Sequence, residues 1–260
     1  MTELSAVGRI VQRHDPDRFF TALFAPPARR ETLFTLYAVN HELARAREVV
    51  SNPMLALIRL QWWREVAEGA RRRHEVAGPL GEALDEGRLL AADILQMIEG
   101  REAEADKVPD IAPFEAYLRA AYGGVAVAAG RALGADGPAL DRLCGIGAAY
   151  GMAGVLRGVK VLASQGRCML PHDELASAGL TAATATEVQN EPQLARVLQG
   201  LARTGLAWMA AGDGSIPPGL TAAYLPGVLA RRDLRRLPRP VNRSFADRII
   251  MLAAAGLRRW

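Results

Sequence analysis

YAVNHELARARE, residues 37–48, is the stretch from which the fold is read. Pro26 and Pro27 stand ahead of it in APPARRETLF, and proline suits the first turn of a helix, where its missing N–H costs nothing. From there to Val50 the pattern is helical. Tyr37, His41, Ala44 and Glu48 recur every three or four residues and so share one face, with Arg45 beside it. A helix carrying this stretch is the expected centre of any site in the chain.

Outward from it, each segment reads as helix. Asp15 followed by Pro16 is an N-cap and a first-turn proline for a helix running through Leu23. Ser51–Asn52–Pro53 closes the principal helix and starts the next, MLALIRLQWWREVAEGARRR, in which Leu55, Ile58, Trp62 and Val66 are the expected core face. Of the adjoining Trp62 and Trp63, one is expected to pack inward and the other to sit at an interface. Gly78–Pro79 breaks the chain, and two helices are expected from Leu80 onward and over Leu89 to Ala105. Val108–Pro109–Asp110 and Pro113 introduce a helix from Phe114 to Leu133, and Asp136–Gly137–Pro138 is a turn. The helix expected from Ala139 to Leu162 contains Gly145, Gly147, Gly151, Gly154 and Gly158. Each interior glycine costs about 1 kcal/mol relative to alanine, so the series needs a tertiary reason, such as close approach of a neighbouring helix. After the loop SQGRCMLPHDEL come helices over Pro192–Ala211, Tyr224–Leu237 and Ser244 to the end. No segment alternates with the two-residue period of a strand, and the expectation is an all-α fold, a single-domain helical bundle over residues 1–260.

Composition agrees. Half of the 260 residues are apolar and only 6% aromatic, which suits helix packed on helix. The formal net charge is +4, with Lys107 and Lys160 the only lysines. The arginines gather late, at Arg231, Arg232, Arg235, Arg236, Arg239 and Arg243, and Arg231, Arg232, Arg235 and Arg236 are the candidate contacts to an anionic membrane surface. No motif supports nucleic-acid binding, and none is expected. Cys144 and Cys168 make neither a disulfide framework nor a zinc site and are read as reduced, buried, inert side chains. His172, Asp173 and Glu174 are adjacent in a loop and are not expected to converge on a metal. No N-terminal apolar run precedes a cleavage site, and Leu143 to Leu156 is shorter than the roughly 20 apolar residues of a membrane span. A cytoplasmic protein is expected, peripheral to the inner face of the membrane where it meets one.

Two stretches resemble the squalene/phytoene synthase family. FAPPARRETLFTLYAVNH follows the family's early segment, and GVLRGVKVLASQGRCMLP, Gly154 to Pro171, follows its later one, with Leu156, Arg157, Val159, Ala163, Gly166, Arg167, Leu170 and Pro171 keeping the family's residue types. The resemblance spans nearly the whole chain and implies the isoprenoid synthase fold. It also implies two DxxxD motifs facing one another, because a diphosphate leaving group needs hard cations and these take oxygen ligands from carboxylates one helical turn apart. On this alignment the first motif falls on Ala44 and Glu48, the second on Gly158 and Leu162, so three of four carboxylates are replaced. The family's Cys–Arg before the first motif is Asn40–His41 here, and its asparagine before the second is Gly154. No catalytic residue and no metal ligand is expected; Mg²⁺ would matter only to a residual prenyltransferase.

Asn40, His41, Glu42, Leu43, Ala44, Ser51, Met54, Arg59, Gln61 and Trp63 further resemble a degenerate branch of the family that includes an assembly factor for respiratory complex I. The resemblance implies respiratory-complex subunits or assembly intermediates as partners. An isoprenoid or lipid ligand is the second expectation, in an apolar cavity lined by Tyr37, Ala44, Gly158 and Leu162. Tyr37, His41, Arg45, Arg157 and Arg167 are the candidates for a pocket or an anion contact, with Arg45 expected beside the former metal position. Arg157 and Arg167 have the alternative of pairing with buried carboxylates such as Glu42 or Glu65.

Overall fold

A computed structural model describes residues 3–50, 52–105, 110–210 and 214–259. Ser51, Lys107, Val108, Pro109, Ala211 and the Gly212–Asp213 part of the following loop lie outside the described residues. The described residues form helices throughout, with no strand and one isolated bridge between Ser215 and Arg259.

The N-terminal helices start where local chemistry places them. In α1 (Ala6–His14) the Ser5 hydroxyl accepts from the Gly8 N–H at 3.0 Å, and in α2 (Pro16–Ala22) Asp15 accepts from the Arg18 N–H at 3.0 Å. The long helix α3 (Pro27–Glu48) begins at the proline pair. Helix α4 (Pro53–Ala67) is shorter than the sequence suggests, and its buried face is also different. Ala56, Leu60, Trp63, Val66 and Ala67 face the core, whereas Leu55 and Ile58, expected inside, are exposed, Ile58 at 59%. Both sets have helical spacing and share the buried Val66, because α4 is apolar on more than one side, and contact with α3 and α6 chose Ala56, Leu60 and Trp63 over Leu55, Ile58 and Trp62. Trp63 is buried and Trp62 partly exposed, their rings 4.9 Å apart edge to face.

Helices α5 (Ala77–Asp85) and α6 (Ala91–Glu102), the latter continued by a 3-10 turn at Ala103–Ala105, pack beneath α3 and α4. The single helix expected over Phe114–Leu133 is a composite: α7 (Ile111–Leu118), a π-turn at Arg119–Gly123, and α8 (Gly124–Ala132). The helix expected over Ala139–Leu162 divides at Gly158 into α9 (Gly137–Arg157) and α10 (Val159–Ser164). Helix α9 is central, packed against α8, α12 (Glu191–Trp208), α13 (Thr221–Arg236) and the π-turn. Helix α11 (His172–Ser177) and the 3-10 turn at Val188–Asn190 link α10 to α12, and α14 (Phe245–Leu257) closes the chain.

The glycines explain how the π-turn fits. A Cβ on Gly147 would lie 2.5 Å from the Tyr122 carbonyl oxygen, one on Gly100 2.5 Å from the Ala121 nitrogen, and one on Gly151 2.4 Å from the Tyr122 ring. The π-turn is thus wedged between α6 and α9 at backbone contact distance, and Gly145 similarly meets the Trp208 carbonyl on α12. Gly154 is different, with nothing within 4 Å of a built Cβ. Gly147→Ala is expected to destabilise the fold by about 1–3 kcal/mol, because overpacking outweighs the propensity gained. Gly154→Ala is expected to be neutral or to stabilise by up to about 1 kcal/mol. Urea denaturation of the two variants beside the wild type measures the contrast.

Candidate functional site

The C-terminal end of α3, the end of α6, the π-turn and the α9–α10 junction enclose a cavity of about 290 Å³. Ala44, Glu48, Gly158 and Leu162 all line it, together with Gly154, Tyr117, Tyr122, Arg101, Glu104 and Arg167. A second cavity of about 550 Å³, lined by Arg47, Ala163, Cys168, His172 and Thr186, adjoins it and shares Glu104, Arg167 and Met169. Gly158 caps α9, and its N–H donates to the Gly154 carbonyl at 3.0 Å.

A buried polar network forms the cavity wall. Arg101 and Glu104 are both buried, and the Arg101 Nη1 donates to Glu104 Oε1 at 2.6 Å. The Tyr117 hydroxyl donates to the same oxygen at 2.8 Å, while Arg101 Nη2 donates to the Asn40 side-chain oxygen at 3.2 Å. The Arg101 guanidinium lies 4.5 Å from the Tyr122 ring centroid, and Arg167 Nη2 stands 3.6 Å from Glu104 Oε2. Burial opposes the Arg101 charge, but Tyr122, Glu104 and Tyr117 outweigh it and hold the guanidinium well above its ordinary pKa. Burial and the Glu104 charge push the Tyr117 phenol well up, so it remains a donor. Two guanidiniums therefore share one buried carboxylate, with Glu48 as an exposed second carboxylate at the cavity.

The sequence names Asn40 as a departure from the family pattern but does not reveal this network. Its signal lies in α6, where the buried Ile94, Met97 and Ile98 face continues at helical spacing into Arg101 and Glu104. Charged residues that prolong an apolar face are the ones expected to be buried in pairs.

Of the proposed pocket or anion contacts, the structure keeps Arg167 at the cavity and sends the others elsewhere. Tyr37 shares the α3 face but lies two turns deeper, buried with the Arg18 guanidinium 5.7 Å from its ring, and does not line the cavity. Arg18 stands 4.8 Å from the Tyr150 ring as well and pairs with Asp15 at 2.9 Å, filling the space between α3 and α9. His41 stacks on His14 at 4.3 Å instead of facing the cavity. Arg45 pairs with Glu42 of its own helix at 3.2 Å, away from the positions it was expected to flank. Arg157 points to α13 and pairs with Asp233 at 3.0 Å. Arg157 and Arg167 do pair with carboxylates, but with Asp233 and Glu104, not with Glu42 or Glu65. Spacing on one helix fixes direction, not what a neighbouring helix offers.

The cavity does not fit a magnesium cluster. Its carboxylates among the described residues are Glu48 and Glu104, and Glu104 already accepts from Arg101 and Tyr117. Mg²⁺ demands near-octahedral oxygen coordination, and a bare cation beside two guanidiniums is repelled. Among the described residues no group of three or more His, Cys, Asp or Glu is placed to hold a metal, His172, Asp173 and Glu174 included. Cys144 and Cys168 are free thiols, half-buried and, through burial first, shifted upward in pKa.

With this geometry in place, the relatives can be compared. The squalene/phytoene synthase profile matches residues 11–252, and the chain belongs to that family. A crystal structure of a dehydrosqualene synthase with ligand superposes with a TM-score of 0.80 at 17% identity, covering 96% of this chain and 94% of that one. The squalene synthase HpnC from Alicyclobacillus acidocaldarius superposes with a TM-score of 0.67 at 18% identity, covering 90% and 92%. At these identities the likeness is one of fold, the all-α isoprenoid synthase fold. Human NADH dehydrogenase (ubiquinone) complex I, assembly factor 6 is 25% identical over 171 residues, 63% of this chain and 51% of that protein. The 15-cis-phytoene synthase of Enterobacter agglomerans is 33% identical over 82 residues, 32% of this chain and 28% of that enzyme. The matches thus span about half the length of the assembly factor and less of the synthase.

Removing one partner of the buried pair leaves the other charge without compensation. Arg101→Met is expected to cost about 3–5 kcal/mol in chemical denaturation, several times the cost of breaking the exposed Lys160–Glu191 pair, which is at most about 1 kcal/mol. A second outcome concerns pH. Burial first, then His14, lowers the His41 pKa below the ordinary 6.5. The unfolded chain therefore takes up the proton before the folded chain does, and stability is lost as pH falls through about 6.5 toward the folded value. Melting temperature followed from pH 8 to pH 5 is expected to fall less in His41→Gln than in the wild type, when each is compared with its own pH 8 value.

Proposed function

We propose that this chain works without prenyl-transfer chemistry, as an interaction or assembly factor for a membrane respiratory complex of the complex I type. The observation that carries the reading is the state of Glu104. Among the described residues, the buried carboxylate at the cavity is engaged by Arg101, Tyr117 and Arg167 and is not a free oxygen ligand for a metal. Ala44, Gly158 and Leu162, which the family resemblance puts at carboxylate positions, offer no side-chain ligand, and Glu48 alone does not assemble a cluster. The assembly-factor relatives, matched over 63% of this chain in the human protein, support an assembly role. In this reading residues 1–260 act as one family domain at the cytoplasmic face of the membrane.

A lipid or isoprenoid ligand is the second reading, and the two adjoining cavities favour it. They meet at Glu104 and Arg167, where an anionic head would find a guanidinium and a chain would find Leu162, Val155 and Met169. The cavity is lined by Ala44, Gly158 and Leu162, without Tyr37. The short phytoene synthase match is the support for a third reading, residual prenyl transfer, in which Glu48 would matter.

Two measurements separate these readings. Purified protein incubated with farnesyl or geranylgeranyl diphosphate and Mg²⁺ is expected to release no diphosphate above the rate of the Glu48→Gln variant. Affinity purification from the source membrane fraction is expected to bring down respiratory-complex subunits. Mg²⁺-dependent turnover that disappears in Glu48→Gln would sink the non-catalytic proposal. Co-purified lipid without respiratory subunits would replace it with the ligand-binding reading.

A further inference from the structure

Helix α14 is attached to the fold by a narrow seam. Asp247, Met251 and Ala254 face inward against α13, with the capping box between Ser244 and Asp247 fixing the helix start. At about 100° per residue these three occupy one side, while Phe245, Ile249, Leu252 and Leu257 lie on a continuous outward arc of roughly 160° that Ala246, Ile250, Ala253 and Gly256 complete. That arc is solvent-exposed along its whole length, Phe245 at 74% and Leu257 at 75%. It contains no charged residue. A soluble surface helix normally has the reverse arrangement, with its apolar stripe inward and its polar face outward.

The charges around the arc are of one sign. Residues 231–259 contain nine arginines and two aspartates. Both aspartates are buried and engaged, Asp233 by Arg157 and Arg243, Asp247 by Arg232. Arg235, Arg236, Arg239, Arg248, Arg258 and Arg259 are exposed and in no ion pair among the described residues. Arg232, expected from the sequence to face a membrane, is withdrawn into the Asp247 pair, and Arg243 into the pairs with Asp17 and Asp233. The exposed arginines outside ion pairs are therefore Arg235, Arg236 and Arg239 before α14, Arg248 on it beside the Phe20 ring, and Arg258 and Arg259 after it.

We propose that α14 is a membrane-interface helix that lays its apolar arc into an anionic leaflet while the flanking arginines meet lipid phosphates. At 13 residues it is about 20 Å long, too short to cross a bilayer and well suited to lying in its plane. No helix among the described residues is long and apolar enough to span. A second copy of the chain is a poor occupant, because a two-fold contact through this face brings arginines against arginines. An anionic bilayer satisfies both the apolar arc and the positive rim at once. This inference stands on α14 and not on the reading of the cavity.

The test is flotation of the intact protein with vesicles of phosphatidylcholine alone and of an equal mixture of phosphatidylcholine and phosphatidylglycerol. The protein is expected to float with the mixed vesicles, far less with phosphatidylcholine, and to be released in part by high salt. Ile249→Ser together with Leu257→Ser is expected to reduce binding at least about ten-fold, the loss set by the apolar surface removed. Arg258→Gln and Arg259→Gln are each expected to reduce it about five-fold. All four positions are exposed, so circular dichroism melts should match the wild type. Wild-type protein that stays unbound with the mixed vesicles, or a folded serine variant that floats like the wild type, would overturn the proposal. So would sedimentation equilibrium showing a stable dimer in solution that the serine variant abolishes.

Discussion

The structure depends on one close approach, the wedging of the π-turn at Arg119–Gly123 between α6 and α9. Three glycines permit it, Gly100 on one side and Gly147 and Gly151 on the other, each facing backbone or ring atoms that a Cβ would overlap. Insertion of the extra residue in the turn carries Tyr122 toward α9 and leaves Tyr117 one turn earlier, directed at Glu104. The same contact holds the end of α6, and with it Arg101, against α3 and Asn40. The cavity wall is thus a consequence of helix packing.

Charge inside that wall is balanced by the protein itself. Arg101, Glu104, Tyr117, Tyr122 and Asn40 satisfy one another in a site of low dielectric, where an unpaired member would be costly. Arg18, held between the Tyr37 and Tyr150 rings and paired with Asp15, is a second buried cation, deeper in the bundle. A fold whose relatives include a phytoene synthase here encloses arginines compensated by carboxylates and phenols.

Helix starts were legible from proline and capping residues, as at Asp15–Pro16, Pro26–Pro27 and Ser244, because those preferences are local. Which face of an apolar helix goes inward was not, as α4 shows: Leu55, Ile58 and Trp62 compete with Ala56, Leu60 and Trp63 on equal spacing. Two long helices were each read as unbroken because neither the π-turn nor the division at Gly158 has a proline to mark it. At the site, the convergence of Ala44, Glu48, Gly158 and Leu162 was expected from the alignment, and all four line the cavity. Tyr37, His41 and Arg45 were placed there by helical spacing and Arg157 by the family resemblance, and they are drawn off by Arg18, His14, Glu42 and Asp233.

The sequence by itself determined the helical class, the order of the elements and the family, because periodicity, capping residues and two long ungapped segments are properties of the chain taken in order. Only the tertiary structure decided which arginines are spent on internal carboxylates and which remain at the surface. Arg157, Arg232 and Arg243 meet partners as far as 226 residues away in sequence, while Arg235, Arg239, Arg258 and Arg259 are left exposed. A guanidinium takes the carboxylate that packing brings within about 3 Å of it, and no spacing rule along one chain encodes that distance.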